Sequence, residues 1–180
     1  MREAKFYSFD ALVKYVTPAT KIVSTVLEPS LPLAFDTKNK GRSIRIDGAT
    51  ASSGSIKWQS AFTQSFTKGI HSISVTPDNE IFVGICGASI VHAFKGGAHI
   101  QDYSMMLHSS GTLFVTRKAK QLSSFSKGSS VRVELDCDRR TVTWSFGSNH
   151  YIESLHPLMQ APFTFCVDLK DATVTMTALK

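Results

Sequence analysis

The chain has 180 residues, enough for one well-buried core and too few for two full-sized domains with a linker. Apolar residues make up 42% of it and charged residues 19%, below the roughly 25% of an average soluble domain, which excludes charge-driven disorder. Twenty Lys and Arg against fourteen Asp and Glu give a net charge of +6, a balance that favours acidic partners but contains no run of five like charges.

Val, Ile, Thr, Phe, Tyr and Trp account for 58 residues, while Glu occurs five times. β-Branched and aromatic side chains suit a pleated, half-buried surface, so the composition predicts strands. No apolar run reaches the ~18 residues of a membrane span, and the opening MREAKFYSFD lacks the apolar stretch of a secretory signal. Cys86, Cys137 and Cys166 are odd in number and widely spaced, with no C-x-x-C, which argues against a disulfide framework or a zinc site. Reduced thiols predict a cytoplasmic or nuclear protein.

Ser8 to Val16 places Phe9, Leu12, Val13 and Val16 at helical spacing, with Ser8 as N-cap and Thr17-Pro18 as a stop; residues 1–21 are predicted to form an N-terminal helical extension. From Ile22 the period becomes two. Ile22 to Leu27 is a predicted strand, Ser43 to Asp47 alternates, and Gly48 to Gly54 reads as a small-residue loop. Ile56 to Thr67 holds one or two strands. Gly69 to Thr76 alternates and is followed by Pro77-Asp78-Asn79 and the apolar run Ile81 to Cys86, a pattern that predicts a hairpin.

Gly87 to Gln101 is the longest irregular stretch, and long loops in compact domains are often functional. Strands follow at Tyr103 to His108 and Gly111 to Thr116, then a polar Ser/Lys-rich connection from Arg117 to Gly128. Val131, Val133 and Leu135 alternate with charged residues, the turn Asp136 to Arg140 intervenes, and Val142, Trp144 and Phe146 alternate with Thr and Ser, a strong hairpin signal. Phe163 to Asp168 and Thr173 to Ala178 alternate in the same way. Ten or more such strands, with no helix between them, predict an all-β, antiparallel two-sheet sandwich over residues 22–180.

Phe125, Gly128, Val131, Val133, Leu135, Asp136, Val142, Trp144, Phe146 and Asn149 resemble the signature hairpin of SPRY domains. Phe35-Asp36, Gly69, Val83-Gly84-Ile85, Tyr103 to Gly111, Leu155-His156-Pro157 and Val174 fall in that family's order. The resemblance implies a bent concanavalin A-like jelly roll without catalytic residues, which binds a protein or peptide segment through loops at one end.

The chain has no G-x-S-x-G elbow, no phosphate-cradling glycine motif and no standard zinc spacing in His92 and His99, so neither an enzyme nor a cofactor or metal is predicted. Asp136 and Asp138 read as turn caps, and Arg139 and Arg140 as solvated turn charges whose reversal has little effect. Trp144 reads as core. Trp58, among the polar neighbours of IKWQS, is open between core and contact, as is Phe94 in the long loop. The expected partner-binding set is Lys57, Trp58, Gln59, His92, Phe94 and Lys95, at one end of the sandwich built from Ile56 to Ser60 and Gly87 to His99. The alternative is a basic surface for nucleic acid or an acidic polymer, made by Lys38, Lys40, Arg42, Arg117, Lys118 and Lys120. Carbohydrate recognition lacks an acidic calcium-binding cluster.

Overall fold

The computed structural model describes residues 33–88 and 97–179. The predicted helix Ser8 to Val16, the strand Ile22 to Leu27, and His92, Phe94 and Lys95 lie outside the described residues. Fourteen strands are described: β1 (Phe35–Lys40), β2 (Ile44–Asp47), β3 (Thr50–Ser53), β4 (Gln59–Phe66), β5 (Ile70–Pro77), β6 (Ile81–Gly87), β7 (Ser104–His108), β8 (Thr112–Val115), β9 (Lys118–Gln121), β10 (Val131–Asp136), β11 (Thr141–Phe146), β12 (Asn149–Ser154), β13 (Phe163–Leu169) and β14 (Ala172–Leu179). A 3-10 turn, Ala98–Ile100, precedes β7.

The strands form two seven-stranded antiparallel sheets, ordered β1-β4-β13-β6-β7-β8-β9 and β12-β11-β10-β5-β14-β3-β2. The predicted sandwich is therefore observed. Its core draws Val83, Ile85, Leu107, Phe163 and Phe165 from the first sheet and Ile73, Val75, Val133, Leu135 and Trp144 from the second. The predicted hairpin pairs Val133 with Trp144 and Leu135 with Val142. Asp136 is a turn cap as expected: its Oδ1 accepts from the backbone N–H of Asp138 at 3.0 Å and of Arg139 at 2.8 Å.

Several expectations need correction. Gly48 to Gly54 is not a loop throughout, because Thr50–Ser53 pairs with both β2 and β14 and buries Ala51 and Ser53. β5 and β6 do not form a hairpin. Both neighbours of β5, β10 and β14, lie in the second sheet, whereas β6 runs between β13 and β7 in the first. The turn chemistry at Asp78-Asn79 serves a crossover between layers equally well, and β6, buried at every residue, belongs in a central position.

Lys118–Gln121, expected as connection, is a fully exposed edge strand, and Asn149–Ser154 is a second edge strand that alternation did not mark, because neither of its faces is apolar. β13 was expected to turn a polar face to solvent, yet all seven of its residues are buried.

At Gly84, in β6, no side chain fits. A Cβ there would collide with the Met105 carbonyl oxygen on β7.

Arg140 is more than a solvated turn charge. It has φ 55°, its Nη2 donates to the Met159 carbonyl at 2.7 Å, and its guanidinium stands 5.7 Å from the Phe163 ring centroid. Arg139 is 85% exposed. Arg140→Glu should therefore cost about 1–3 kcal/mol in chemical denaturation, for a lost charged hydrogen bond and cation–π contact, and Arg139→Glu under about 0.5 kcal/mol. Equal costs would contradict the anchoring role.

Candidate functional site

The face of the first sheet turned away from the core carries a second apolar cluster. Phe62, Phe82, Cys86, Met106 and Cys166 are buried there with Ala98, and Trp58 and Phe114 pack against them half-buried. These residues alternate with core-facing ones such as Ala61, Val83, Ile85, Met105, Leu107, Phe165 and Val167 along the same strands, as period-two geometry requires. Ala98, from the 3-10 turn, is part of the cover.

Asp168 holds that cover down. Its carboxylate has no exposure and accepts from Ser60 Oγ at 2.5 Å, the Ala98 N–H at 2.9 Å, the His99 N–H at 2.9 Å and His99 Nδ1 at 2.7 Å. A buried carboxylate is tolerable only when its lone pairs are satisfied in this way. Gly97 permits the approach: a Cβ there would lie 2.5 Å from the His99 ring and 2.9 Å from Asp168 Oδ2. Ser60, Asp168 and His99 do not form a nucleophile relay. In such a relay the imidazole stands between hydroxyl and carboxylate, whereas here the carboxylate stands between the other two.

The His99 ring stacks on Phe82 at 4.0 Å and 5°. Trp58 meets the edges of this stack, 4.8 Å from Phe82, 5.7 Å from His99 and 5.8 Å from His108 between ring centroids. Burial, assisted by His99, lowers the pKa of His108 against the opposing pull of Glu80, which favours the uncharged imidazole. Its Nδ1 lies 2.7 Å from Ser110 Oγ. Lys170 Nζ stands 5.9 Å from the Trp58 ring centroid.

The structure thus places Trp58 between the two expected roles: one edge packs on the outer cluster while the residue stays partly exposed. Lys57 is exposed, and Gln59 is half-buried with its Nε2 donating to the Trp58 carbonyl at 3.1 Å. Ile56, beside them, is 81% exposed.

The expectation of a surface at one end needs correction. Gln59 pairs with Leu169 at one end of β13, whereas Gly87, where the long loop departs, pairs with Phe163 at the other. Seven residues of strand separate these ends by roughly 20 Å. The described part of the loop, residues 97–100, reaches Trp58 by lying along the face of the sheet. Nor is Arg140 remote from the base of that loop, because it sits over Phe163, Gly87's partner.

The alternative basic surface is divided. Lys38 and Lys40 belong to β1, with Arg42 just after it, and Lys118 and Lys120 to β9, with Arg117 just before it; these strands are the opposite edges of the first sheet. Lys40 Nζ donates to the Ile44 carbonyl, Arg117 pairs with Asp102 at 2.8 Å and Lys120 with Glu153 at 2.6 Å.

Sequence reasoning included Ser60 and His99 in the expected surface without giving them a role, and missed Phe82, His108 and Asp168 as parts of this face, although an acid within the apolar strand FTFCVDL was a usable signal.

Among solved structures, the SPRY domain of human HERC1 superposes with a TM-score of 0.68 at 15% identity, covering 81% of this chain and 98% of that one. The chain has a SPRY-type fold. The TRIM65 PSpry domain matches with a TM-score of 0.63 at 14% identity, over 82% of this chain and 92% of its own. Stonustoxin matches with 0.63 at 13% identity, over 82% of this chain and 27% of its own length. No protein-family model and no curated protein matches the sequence. Among the described residues, no helix of this SPRY-type fold is long and apolar enough to cross a membrane.

Proposed function

We propose that the chain is a non-catalytic protein-interaction module that binds a short extended protein segment against Trp58, as the recognition part of a larger complex. The observation that carries this reading is the setting of Trp58: a large ring held edge-on by Phe82, His99 and His108, partly open to solvent, beside exposed Ile56 and Lys57. Rigid, partly exposed aromatics are favoured anchors because little side-chain entropy remains to be lost on binding. Lys57 and Gln59 flank the anchor, and His92, Phe94 and Lys95 are proposed to complete the surface from the loop ahead of Gly97. The SPRY-type fold supports the same reading. Cys86, Cys137 and Cys166 are free and buried, which suits a reducing compartment, cytoplasm or nucleus.

The test compares proteins retained from a lysate by the parent with those retained by Trp58→Ala and by Trp58→Ala with Phe94→Ala. Trp58→Ala should lower fold stability by less than the roughly 3–5 kcal/mol of a fully buried aromatic, because the ring is only half-buried. It should weaken specific retention by roughly thirtyfold, the consequence of losing an anchor worth ~2 kcal/mol. Unchanged retention by both variants would remove Trp58 from the interface.

A further inference from the structure

The two sheets end in four edge strands, β1 and β9 in the first and β12 and β2 in the second. An exposed edge is a row of free backbone N–H and C=O groups, and folded proteins guard such rows with lysines, bulges or shortness. Three of the four edges are guarded in this way. β1 carries Lys38 and Lys40, and its register with β4 is broken. β9 has four residues, two of them Lys118 and Lys120, and β2 has four residues with Arg45 and Asp47.

β12 is different. It has six residues in unbroken register with β11, its one neighbour among the described residues, and contains no lysine and no proline. Its carboxylate, Glu153, is paired with Lys120 of β9. Ile152, at 60% exposure, shares the outer face of β12 with exposed His150 and Ser154.

The connection to β11 is the two-residue turn Gly147-Ser148, with Gly147 at φ 53°. A two-residue hairpin closes on a hydrogen-bonded pair, here Phe146 with Asn149, so the N–H and C=O of Asn149, Tyr151 and Glu153 address β11. Those of His150, Ile152 and Ser154 address the free edge.

We propose that β12 pairs antiparallel with β12 of a second copy of this chain, about a two-fold axis at Ile152. In that register Ile152 meets Ile152 of the second copy, and on either side of the axis His150 meets Ser154, so all three outward residues exchange their backbone hydrogen bonds. Tyr151 meets Glu153, and no like charges stand opposite each other. Moving the axis to Tyr151 would leave Ser154 opposite the turn. Self-complementarity chooses the occupant: three outward residues, centred on the strand's large exposed apolar side chain, satisfy themselves under a two-fold axis, as an isologous contact requires.

The axis runs normal to the second sheet, so the outer faces of the two first sheets, each with its Trp58, point the same way. The pair is then a bivalent binder; that consequence rests on the proposed role of Trp58, whereas the pairing does not. Six residues of edge make a small interface, so the expected dissociation constant is of micromolar order.

Sedimentation velocity of the full chain across the micromolar range should show the parent passing from monomer to dimer mass. Ile152→Lys sets two lysines against each other on the axis and should weaken the dimer about tenfold or more. Ile70→Lys changes an isoleucine of 63% exposure on β5, three strands in from the same edge, and should leave the dimer within about twofold of the parent. Cysteine substitutions read the register, because the Cα atoms of a hydrogen-bonded pair are about 5.5 Å apart, within reach of a disulfide. Treated with diamide, Ile152→Cys should crosslink two copies, His150→Cys should not, and His150→Cys with Ser154→Cys should; Cys86, Cys137 and Cys166 are buried. Should Ile152→Lys melt below the parent, the cysteine series decides.

A parent of monomer mass throughout, a dimer indifferent to Ile152→Lys, or crosslinking through His150→Cys by itself would overturn the proposal. So would a monomeric parent whose retained lysate proteins are lost with Ile152→Lys, which would assign the edge to a strand of another protein. A dimer that forms while retention ignores Trp58→Ala would remove the bivalent consequence and support the pairing.

Discussion

Replacing Trp144 with alanine should cost about 3–5 kcal/mol, the range for deleting a large aromatic from a packed core. In a domain of this size that lowers the melting temperature by roughly 6–20 °C. Trp144 has no exposure and stands on β11, in the second sheet, yet its Nε1 donates to the Val83 carbonyl of β6, in the first, at 3.1 Å. The indole therefore fills the space between the layers and ties them with one directional bond. Alanine leaves a cavity and removes the donor. Trp144→Phe keeps most of the volume and loses the hydrogen bond, so it should fall between parent and alanine variant. A Trp144→Ala protein that melts within a degree or two of the parent would refute both the burial and the register Val133 with Trp144.

Asp168→Ala should be the second most damaging change, costing about 3–5 kcal/mol as the removal of one side of a buried charged network. It removes the acceptor of Ser60 Oγ, Ala98 N–H, His99 N–H and His99 Nδ1 at once. The loss is also local. Without the carboxylate the His99 N–H loses its acceptor and the Ala98 N–H keeps only Ser60 Oγ, at 3.0 Å, so the 3-10 turn should lift from the outer cluster before the sandwich unfolds. Hydrogen exchange should then show residues 97–100 unprotected in Asp168→Asn, where the side chain keeps its size and loses its charge, while β10 and β11 remain protected. Asp102→Ala, which removes an exposed partner of Arg117, should cost no more than about 1 kcal/mol. Equal costs for Asp102 and Asp168, or unchanged protection of residues 97–100, would show that Asp168 does not hold the cover.

Both changes act in β-strands whose pattern was readable, but only the first could be argued from the pattern. Trp144 alternates in phase with Val142 and Phe146, and the residues opposite it on β10 alternate too, so its burial follows from its neighbours in the chain. Asp168 alternates in phase with Thr164 and Cys166, which looks like a solvent face. The segment that covers it is about seventy positions away in the chain, and nothing within β13 announces it.

The edges show the same division. β9 is exposed at every residue and β12 has no apolar face, so neither buries enough to leave a period in the sequence; each is a strand because a neighbour offers it a hydrogen-bonding edge.

Trp58 was singled out by its polar neighbours, and half of its setting was thereby anticipated. Its contacts with Phe82, His99 and His108 were not, because they join four segments that are distant in sequence. Residue chemistry and spacing by themselves determined that the chain forms an antiparallel sandwich, that β10 and β11 make a hairpin and that Trp144 lies in its core, because adjacent residues on a pleated strand must face opposite ways. Only the fold as a whole settled which layer receives β6, that the 3-10 turn lies on the outer face of the first sheet, and that Lys170 stands over the Trp58 ring. These depend on long-range pairing, in which the partner of each residue is chosen by the packing of the whole sheet.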